Sequence, residues 1–295
     1  MLGFGKTTIV DEYEADGPID DVYHEIRQTL RVSGINLIFR VWASYDRALP
    51  TIWNAVRPLV EMRTFEAAAD DLRVAAVQAA TRLGAADARS AVRVGKSQDY
   101  QIQQALQLYH YINPKLLLLV TALNGALSKN TTEQNSTQTP PTSELIERGE
   151  PAHMYAMEMV AEDPDDPTLQ ELFDDIKHTL SLSSINSDYR TLALWPTYVT
   201  KAWARLKQTI GGDEYQRAAA HLQDQARRLA ASLPYSIPLS REKFESLVQD
   251  ADEVANKTDT FERILPPLIL NIARLGLDWQ SPDRLAASPF PARPR

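Results

Sequence analysis

Apolar residues recur along this chain at the spacing of a helix face. Val22, Tyr23, Ile26 and Leu30 fall on one side of a helix over residues 20–30, and residues 172–180 carry a matching stripe. No stretch shows the sustained alternation of apolar and polar positions that is typical of strands. The pattern predicts an all-α protein.

The matching stripes belong to a longer internal repeat. Residues 20–53 align without gaps with residues 170–203, and eight of the eighteen positions in 26–43 are identical to those in 176–193. The identical residues in the first copy are Ile26, Thr29, Leu30, Ser33, Ile35, Asn36, Arg40 and Ala43. A register held this long indicates duplication. We therefore expect two homologous helical units packed about a pseudo-twofold axis.

The division of the chain follows from the repeat and from a change in composition. Residues 128–168 are rich in Asn, Thr, Ser, Gln, Pro and Asp, a composition typical of a solvated linker. The expected organisation is a first helical repeat over 1–127, a linker over 128–168 and a second helical repeat over 169–295, which together form one pseudo-dimer.

Composition excludes several classes of chemistry. The chain has no cysteine, which excludes disulfides, a thiol nucleophile and cysteine-ligated metals. Its net charge of −8 comes without any basic run, so nucleic-acid binding is not expected. The longest apolar run, 116–123, is well short of the about 20 residues that span a membrane. The N-terminus lacks the pattern of a secretory signal. A soluble cytoplasmic protein is expected.

Common cofactor motifs are weak in this sequence. Residues 3–8, GFGKTT, resemble a phosphate loop but follow no buried strand and open no apolar helix. The five histidines make no pair at helical ligand spacing. Neither feature is specific evidence for a phosphate loop or a metal site.

The most informative positions are those at which the two repeats differ in polarity. Asp188 lies in the best-matching segment opposite Ile38, and Asn113 corresponds to Leu265. Burying a carboxylate costs several kcal/mol unless it is paired or neutralised, so such an exchange suggests a function. The alternative is that Asp188 is an exposed acid at a helix start and Asn113 a cap before Pro114.

The segments 33–37 and 183–187 each lead into a helix whose first N–H groups are free. If they face each other, they form a receptor for a small carboxylate. The partial positive charge at such a helix start would also lower the pKa of Asp188. Burial would have to offset this effect before Asp188 could serve as an efficient base near neutral pH.

Several segments together resemble the group I (DehI-type) 2-haloacid dehalogenases. They are YHEIRQTLRV at 23–32, NPKLLLLVTAL at 113–123, SDY at 187–189, LWP at 194–196 and SPFP at 288–291. The resemblance covers nearly the whole chain. It implies a duplicated helical fold related to the AhpD-like fold, a homodimer, no cofactor, and hydrolysis of short 2-haloalkanoic acids with inversion at Cα.

The resemblance also implies roles for individual residues. Asp188 after Ser187 matches the aspartate that activates water, and Asn113 before Pro-Lys matches the asparagine that positions it. The expected substrate-binding residues are Ser187, Gly34, Leu37, Ile38 and Glu66. The family's better-known members carry large aromatics where this chain has Gly34 and Leu37, which leaves substrate size and enantiomer preference open.

Two other mechanisms or functions stay open at this point. Asp188 could attack Cα itself and form an ester that water then opens. Alternatively, the chain could be a helical protein that binds a small carboxylate, or only itself, without turnover.

Overall fold

The computed structural model describes residues 8–128 and 142–295, and this part of the chain is helical. It contains twelve α-helices, two short 3-10 helices and two isolated β-bridges, but no strand. The prediction of an all-α fold is confirmed. The possible phosphate loop, apart from Thr8, and residues 129–141 of the expected linker lie outside the described residues.

The described helices form one series in the first half of the chain and another in the second half. The first series is α1 Gly17–Leu30, α2 Leu37–Ala43, α3 Ala48–Val60, α4 Arg63–Leu83 and α5 Lys96–Ser128. The second is α6 Pro167–Leu180, α7 Ser187–Leu192, α8 Pro196–Lys207, α9 Asp213–Ser232, α10 Arg241–Leu247, α11 Ala251–Gly276 and α12 Pro282–Ala286.

Local sequence sets the ends of these helices. Proline stands in the first turn of α1, α6 and α8, where no intrahelical N–H is required. The Asp166 side chain accepts a hydrogen bond from the Thr168 N–H at the start of α6. Helices α1 and α6 both end at a residue in the left-handed region, Arg31 at φ 60° and Ser181 at φ 55°.

Four long helices, α4, α5, α9 and α11, pack together at the centre, and the contact between α5 and α11 is the most extensive. The short helices reach across to the opposite half. Trp42 on α2 donates from Nε1 to Thr258 Oγ1 on α11 over 3.1 Å, and Tyr109 on α5 lies 2.6 Å from Thr191 on α7. Each half therefore contributes to the surroundings of the other half's short helix.

The same hydrogen bonds occur in both halves at an offset of 150 residues. The Val10 N–H donates to Arg40 O, and the Val160 N–H donates to Arg190 O, each over 3.1 Å. The Trp53 indole donates to Glu25 as the Trp203 indole donates to Asp175.

A third pair of bonds joins a backbone N–H to a glutamate side chain. The Ile35 N–H donates to Glu12, and the Ile185 N–H donates to Glu162. The two halves thus share a bonding pattern, and that pattern includes residues 160–162 of the expected linker.

The described end of the expected linker contacts the core. Met154 is buried, and the backbone oxygen of Tyr155 accepts a bond from Ser33 Oγ. A Cβ added at Gly34 would lie 2.6 Å from Met157 Cβ. The close approach of this segment therefore requires a residue without a side chain at position 34.

No helix in residues 8–128 and 142–295 is both long and apolar enough to cross a membrane.

We expect Gly34→Ala to lower the free energy of unfolding by about 1–3 kcal/mol, because the added methyl collides with Met157. Gly125 provides the control, since a Cβ there meets nothing within 4 Å. Its position inside α5 predicts that Gly125→Ala is stabilising by about 0.5–1 kcal/mol. Urea unfolding of both variants measures the difference, and equal stabilities would contradict the close packing at Gly34.

Candidate active site

Asp188 and Asn113 are in direct contact at the boundary between the two halves. Asp188 is the second residue of α7, and Asn113 lies in the middle of α5, where Pro114 follows it. Asn113 Nδ2 donates to Asp188 Oδ2 over 2.7 Å. Asn113 is 1% exposed and Asp188 is 2% exposed. Asp188 is therefore a buried acid, which sets aside the alternative of an exposed residue at a helix start.

Burial raises the pKa of the Asp188 carboxyl to about 7. The hydrogen bonds from Asn113 and from its own backbone N–H act in the opposite direction and only partly offset the loss of water. A carboxyl with this pKa is divided between its two protonation states near neutral pH. It can therefore accept a proton efficiently there.

A chain of hydroxyl groups fixes the helix that carries Asp188. Thr191 Oγ1 donates to the Glu158 backbone oxygen over 2.7 Å. Because that hydroxyl has a single hydrogen, Tyr109 must donate its own proton to Thr191. Burial and the nearby Asp188 charge raise the pKa of Tyr109, so its proton is retained. These bonds attach α7 both to α5 and to the segment before α6.

Ser187 precedes Asp188 and is held by an arginine from the other half. Arg40 Nη2 on α2 lies 3.3 Å from Ser187 Oγ, and Arg40 Nη1 forms an ion pair of 2.6 Å with Asp11. Arg40 is 2% exposed. The guanidinium therefore brings a buried positive charge next to the helix start that carries the acid.

The other sequence-predicted residues on this side belong to α2 and the turn before it. Gly34, Leu37 and Ile38 are buried. The bond from Arg40 to Ser187 places α2 close to the start of α7. Their roles in binding substrate remain predictions.

Glu66 is paired with a buried lysine. Its carboxylate lies 2.7 Å from Lys115 Nζ, which also donates to the Tyr111 hydroxyl over 2.5 Å. Tyr111 and Lys115 are four residues apart on α5 and share one face, whereas Asn113, halfway between them, is on the opposite face. Among the described residues no hydrogen bond or ion pair joins Glu66 to Asp188 or Asn113, and its role in binding substrate remains a prediction.

A surface cavity of about 220 Å³ lies beside the start of α7. Its lining includes Asn186, the residue before Ser187, together with residues 180–182 and the α11 residues Arg263 and Pro267. Asp188 and Asn113 do not line it, so it is a neighbouring cleft rather than the site itself.

Sequence reasoning missed Arg40, Tyr109 and Thr191. Arg40 is identical to Arg190 in the repeat, so the alignment of the two copies shows no contrast that singles it out. A comparison of the residues around the two arginines would have distinguished them, because Asp11 corresponds to Ala161.

Together these groups can bind a small anion and deprotonate water. The Asp188 carboxyl has a pKa of about 7 and accepts a bond from the Asn113 amide. The Ser187 hydroxyl precedes it in the chain and is bonded to the Arg40 guanidinium. No group of three or more potential metal ligands occurs in the part of the chain that the structure describes.

Comparisons with known proteins agree on one family. The model of the halocarboxylic acid dehydrogenase DehI family matches residues 33–189, more than half of the chain. An (R)-2-haloacid dehalogenase of Pseudomonas putida is 29% identical over 276 residues, covering 89% of both chains. A configuration-inverting 2-haloacid dehalogenase of Pseudomonas sp. (strain 113) is 27% identical and covers 74% of this chain and 72% of its own.

Solved structures give the same result. A D-2-haloacid dehalogenase mutant with D-2-CPA has a TM-score of 0.76 and 25% identity, over 92% of this chain and 94% of its own. A D-2-haloacid dehalogenase with L-LA has a TM-score of 0.77 and 26% identity, over 92% and 95%. The chain therefore belongs to the DehI family of 2-haloacid dehalogenases, as the resemblance of its motifs predicted.

Proposed function

We propose that this chain hydrolyses short 2-haloalkanoic acids to 2-hydroxy acids, with Asp188 as the base that activates water. The observation that carries the proposal is the buried Asp188 carboxyl, with a pKa of about 7, in contact with the Asn113 amide. The family and its inverting relatives support the reaction class.

The proposed reaction is a single displacement at carbon. A water held by Asn113 and Asp188 attacks Cα from the side opposite the halogen, while Asp188 accepts the proton. The new C–O bond forms as the carbon–halogen bond breaks, and halide leaves with the electron pair. Ser187 binds the substrate carboxylate, which keeps Cα in line with the water. The proton on Asp188 is then lost to solvent.

We expect Asp188→Asn to abolish halide release from 2-chloropropanoate, because an amide cannot accept the proton of water. Asn113→Ala should slow release by about two orders of magnitude or more, since the water loses its second partner. Halide assays of the purified variants measure both rates.

Two variants serve as matched controls. Asp175→Asn changes an aspartate that is paired with Lys207 at the surface, and Asn124→Ala changes another asparagine of α5, which is paired with Glu262. Both should retain turnover. If Asp188→Asn keeps more than about a tenth of wild-type turnover, a change below about 1.4 kcal/mol in the barrier, then Asp188 is not the base. Absence of halide release by the wild type would instead favour the non-catalytic carboxylate-binding protein.

A single turnover in ¹⁸O-labelled water separates direct attack by water from an ester intermediate. With direct attack the label enters the hydroxyl of the product. If Asp188 attacks Cα, the product oxygen comes from the carboxylate and the label stays on Asp188. Inversion does not distinguish the two routes, because each makes one displacement at Cα. We expect labelled product in the first turnover, and unlabelled product would show the ester route.

The raised pKa of Asp188 predicts opposite pH dependences for turnover and stability. Turnover requires the ionised form, so it should rise with pH through about 7. Between pH 4 and pH 7 the Asp188 carboxyl is protonated in the folded protein but ionised in the unfolded chain, where its pKa is 3.8. The free energy of unfolding therefore falls as pH rises from about 4 to about 7.

Thermal unfolding of Asp188→Asn tests this linkage. The variant should be more stable than the wild type at pH 8, by up to about 4 kcal/mol at about 1.4 kcal/mol per pKa unit. The two proteins should be similar at pH 4, where Asp188 is protonated. Asp175→Asn provides the control. The bonds to Lys207 and Trp203 lower the pKa of Asp175, so its ionised form stabilises the fold and its loss should lower the stability at pH 8. A stability difference for Asp188→Asn that does not change with pH would contradict the raised pKa.

We also propose that the fold is a duplicated pair of units about a pseudo-twofold axis. The hydrogen bonds that recur at an offset of 150 residues support it, and they begin the second unit near Val160, before the boundary at 169 expected from sequence. Assembly as a homodimer rests on the family resemblance alone and a cytoplasmic location on the sequence, and both remain predictions.

A further inference from the structure

Arg40 is a buried cation whose hydrogen bonding is incomplete. Nη1 is paired with Asp11 at 2.6 Å, and Nη2 makes a longer bond of 3.3 Å to Ser187 Oγ. Nη2 also lies 4.0 Å from Met159 Sδ. The Nε atom is buried and has no hydrogen-bond partner among the described residues. Burying a guanidinium costs free energy unless ion pairs and hydrogen bonds compensate for its lost hydration. The incomplete bonding of Arg40 therefore suggests a function other than stabilising the fold.

Arg190 occupies the corresponding position in the second half and differs in what surrounds it. Its Nε donates to the Val160 backbone oxygen over 2.8 Å. The residue that corresponds to Asp11 is Ala161, and the one that corresponds to Ser187 is Leu37. The positions that would supply Arg190 with a carboxylate and a hydroxyl of its own therefore carry apolar residues, although the charges of Asp11 and Glu162 still act on it.

Attachment of the preceding segment does not explain the difference. In both halves a backbone bond, from Val10 to Arg40 and from Val160 to Arg190, holds that segment to the short helix. The Asp11–Arg40–Ser187 connection is additional to this shared bond. It occurs at the start of α7, where Asp188 stands at the position that Ile38 occupies in the first half. The polar residues that lack a polar counterpart in the other half therefore lie around one helix start.

We propose that Arg40 is a positioning residue that orients the Ser187 hydroxyl toward the carboxylate of the substrate, with Asp11 as its anchor. A guanidinium can only donate hydrogen bonds, so Ser187 Oγ accepts from Arg40. The Ser187 proton is then free to point away from Arg40 and to donate to an anion. Donation from a cation also polarises the hydroxyl, which strengthens that second bond.

Asp11 keeps the guanidinium in place without cancelling its effect at Ser187. Its side chain is 26% exposed, whereas that of Arg40 is 2% exposed. Solvent therefore screens the negative partner more than the positive one, and a net positive field remains at Ser187. The inference rests on the proposed function, since it assigns Ser187 to the substrate carboxylate.

The experiment compares steady-state kinetics of Arg40→Lys and Arg190→Lys with 2-chloropropanoate, together with inhibition by propanoate. A lysine keeps the charge but cannot bond Asp11 and Ser187 through a planar fork. We expect Arg40→Lys to raise KM and the inhibition constant of propanoate about tenfold, with kcat changed by less than about threefold. Arg190→Lys should leave both within about twofold.

A double-variant cycle with Ser187→Ala tests whether Arg40 acts through the hydroxyl. In the Ser187→Ala background, Arg40→Lys should raise KM by less than about threefold. Asp11→Asn, at a partly exposed position, is the second variant if Arg40→Lys does not fold. Loss of the anchor should raise KM about threefold or more.

Wild-type halide release is measured first, because its absence overturns the proposed function itself. With an active wild type, an unchanged KM in Arg40→Lys overturns only the inference. So does a KM effect that is equally large in the Ser187→Ala background. If Arg40→Lys is unfolded and Asp11→Asn has an unchanged KM, Arg40 serves the fold alone and the inference is wrong.

Discussion

Burial of the Asp188 carboxyl is the constraint around which the rest of the site is arranged. A carboxylate that is 2% exposed loses nearly all of its hydration, and only an amide and its own backbone N–H compensate. The cost of this incomplete compensation appears as a pKa of about 7. The same loss of water that raises the pKa of Asp188 therefore weakens the fold at neutral pH.

That constraint explains why α7 is fixed so firmly. The helix has only six residues, so its own backbone bonds hold it weakly. The Tyr109–Thr191–Glu158 chain attaches it to α5 and to the preceding segment. Without these attachments, α7 could move outward and allow Asp188 to be hydrated, and the pKa would return toward its ordinary value.

The two halves provide similar scaffolds but unequal chemistry. Backbone bonds and indole–carboxylate bonds recur between them, which keeps the short helices in comparable positions. At two pairs of corresponding positions, however, only one member is polar. Asp188 corresponds to Ile38, and Asn113 corresponds to Leu265. The apolar residues at the corresponding positions, Ile38 and Leu265, contribute to the core instead.

A second group of buried charges lies on the other face of α5. Burial lowers the pKa of Lys115 to about 8, although the Glu66 carboxylate beside it favours the charged form. This pair is also bonded to Tyr111 and to the Leu30 backbone oxygen. Its distance from Asn113 follows from helical geometry, because residues two apart on a helix point in nearly opposite directions.

The sequence by itself determined the helical fold, the correspondence between the halves and the contrast that singled out Asp188 and Asn113. These depend on periodicity and on aligned positions, which are local or pairwise properties of a sequence. Only the tertiary structure decided that Asp188 is buried and that its pKa rises rather than falls. The sequence left that balance between a helix start and desolvation open, because burial depends on what packs against α7.

The tertiary structure also decided which charges meet. It placed Arg40 against Ser187, 147 residues away in the chain, and Glu66 against Lys115. It brought residues 154–162, expected to be solvated linker, against the starts of both short helices. No pattern in the sequence specifies these contacts, because they depend on how helices from the two halves pack across one another.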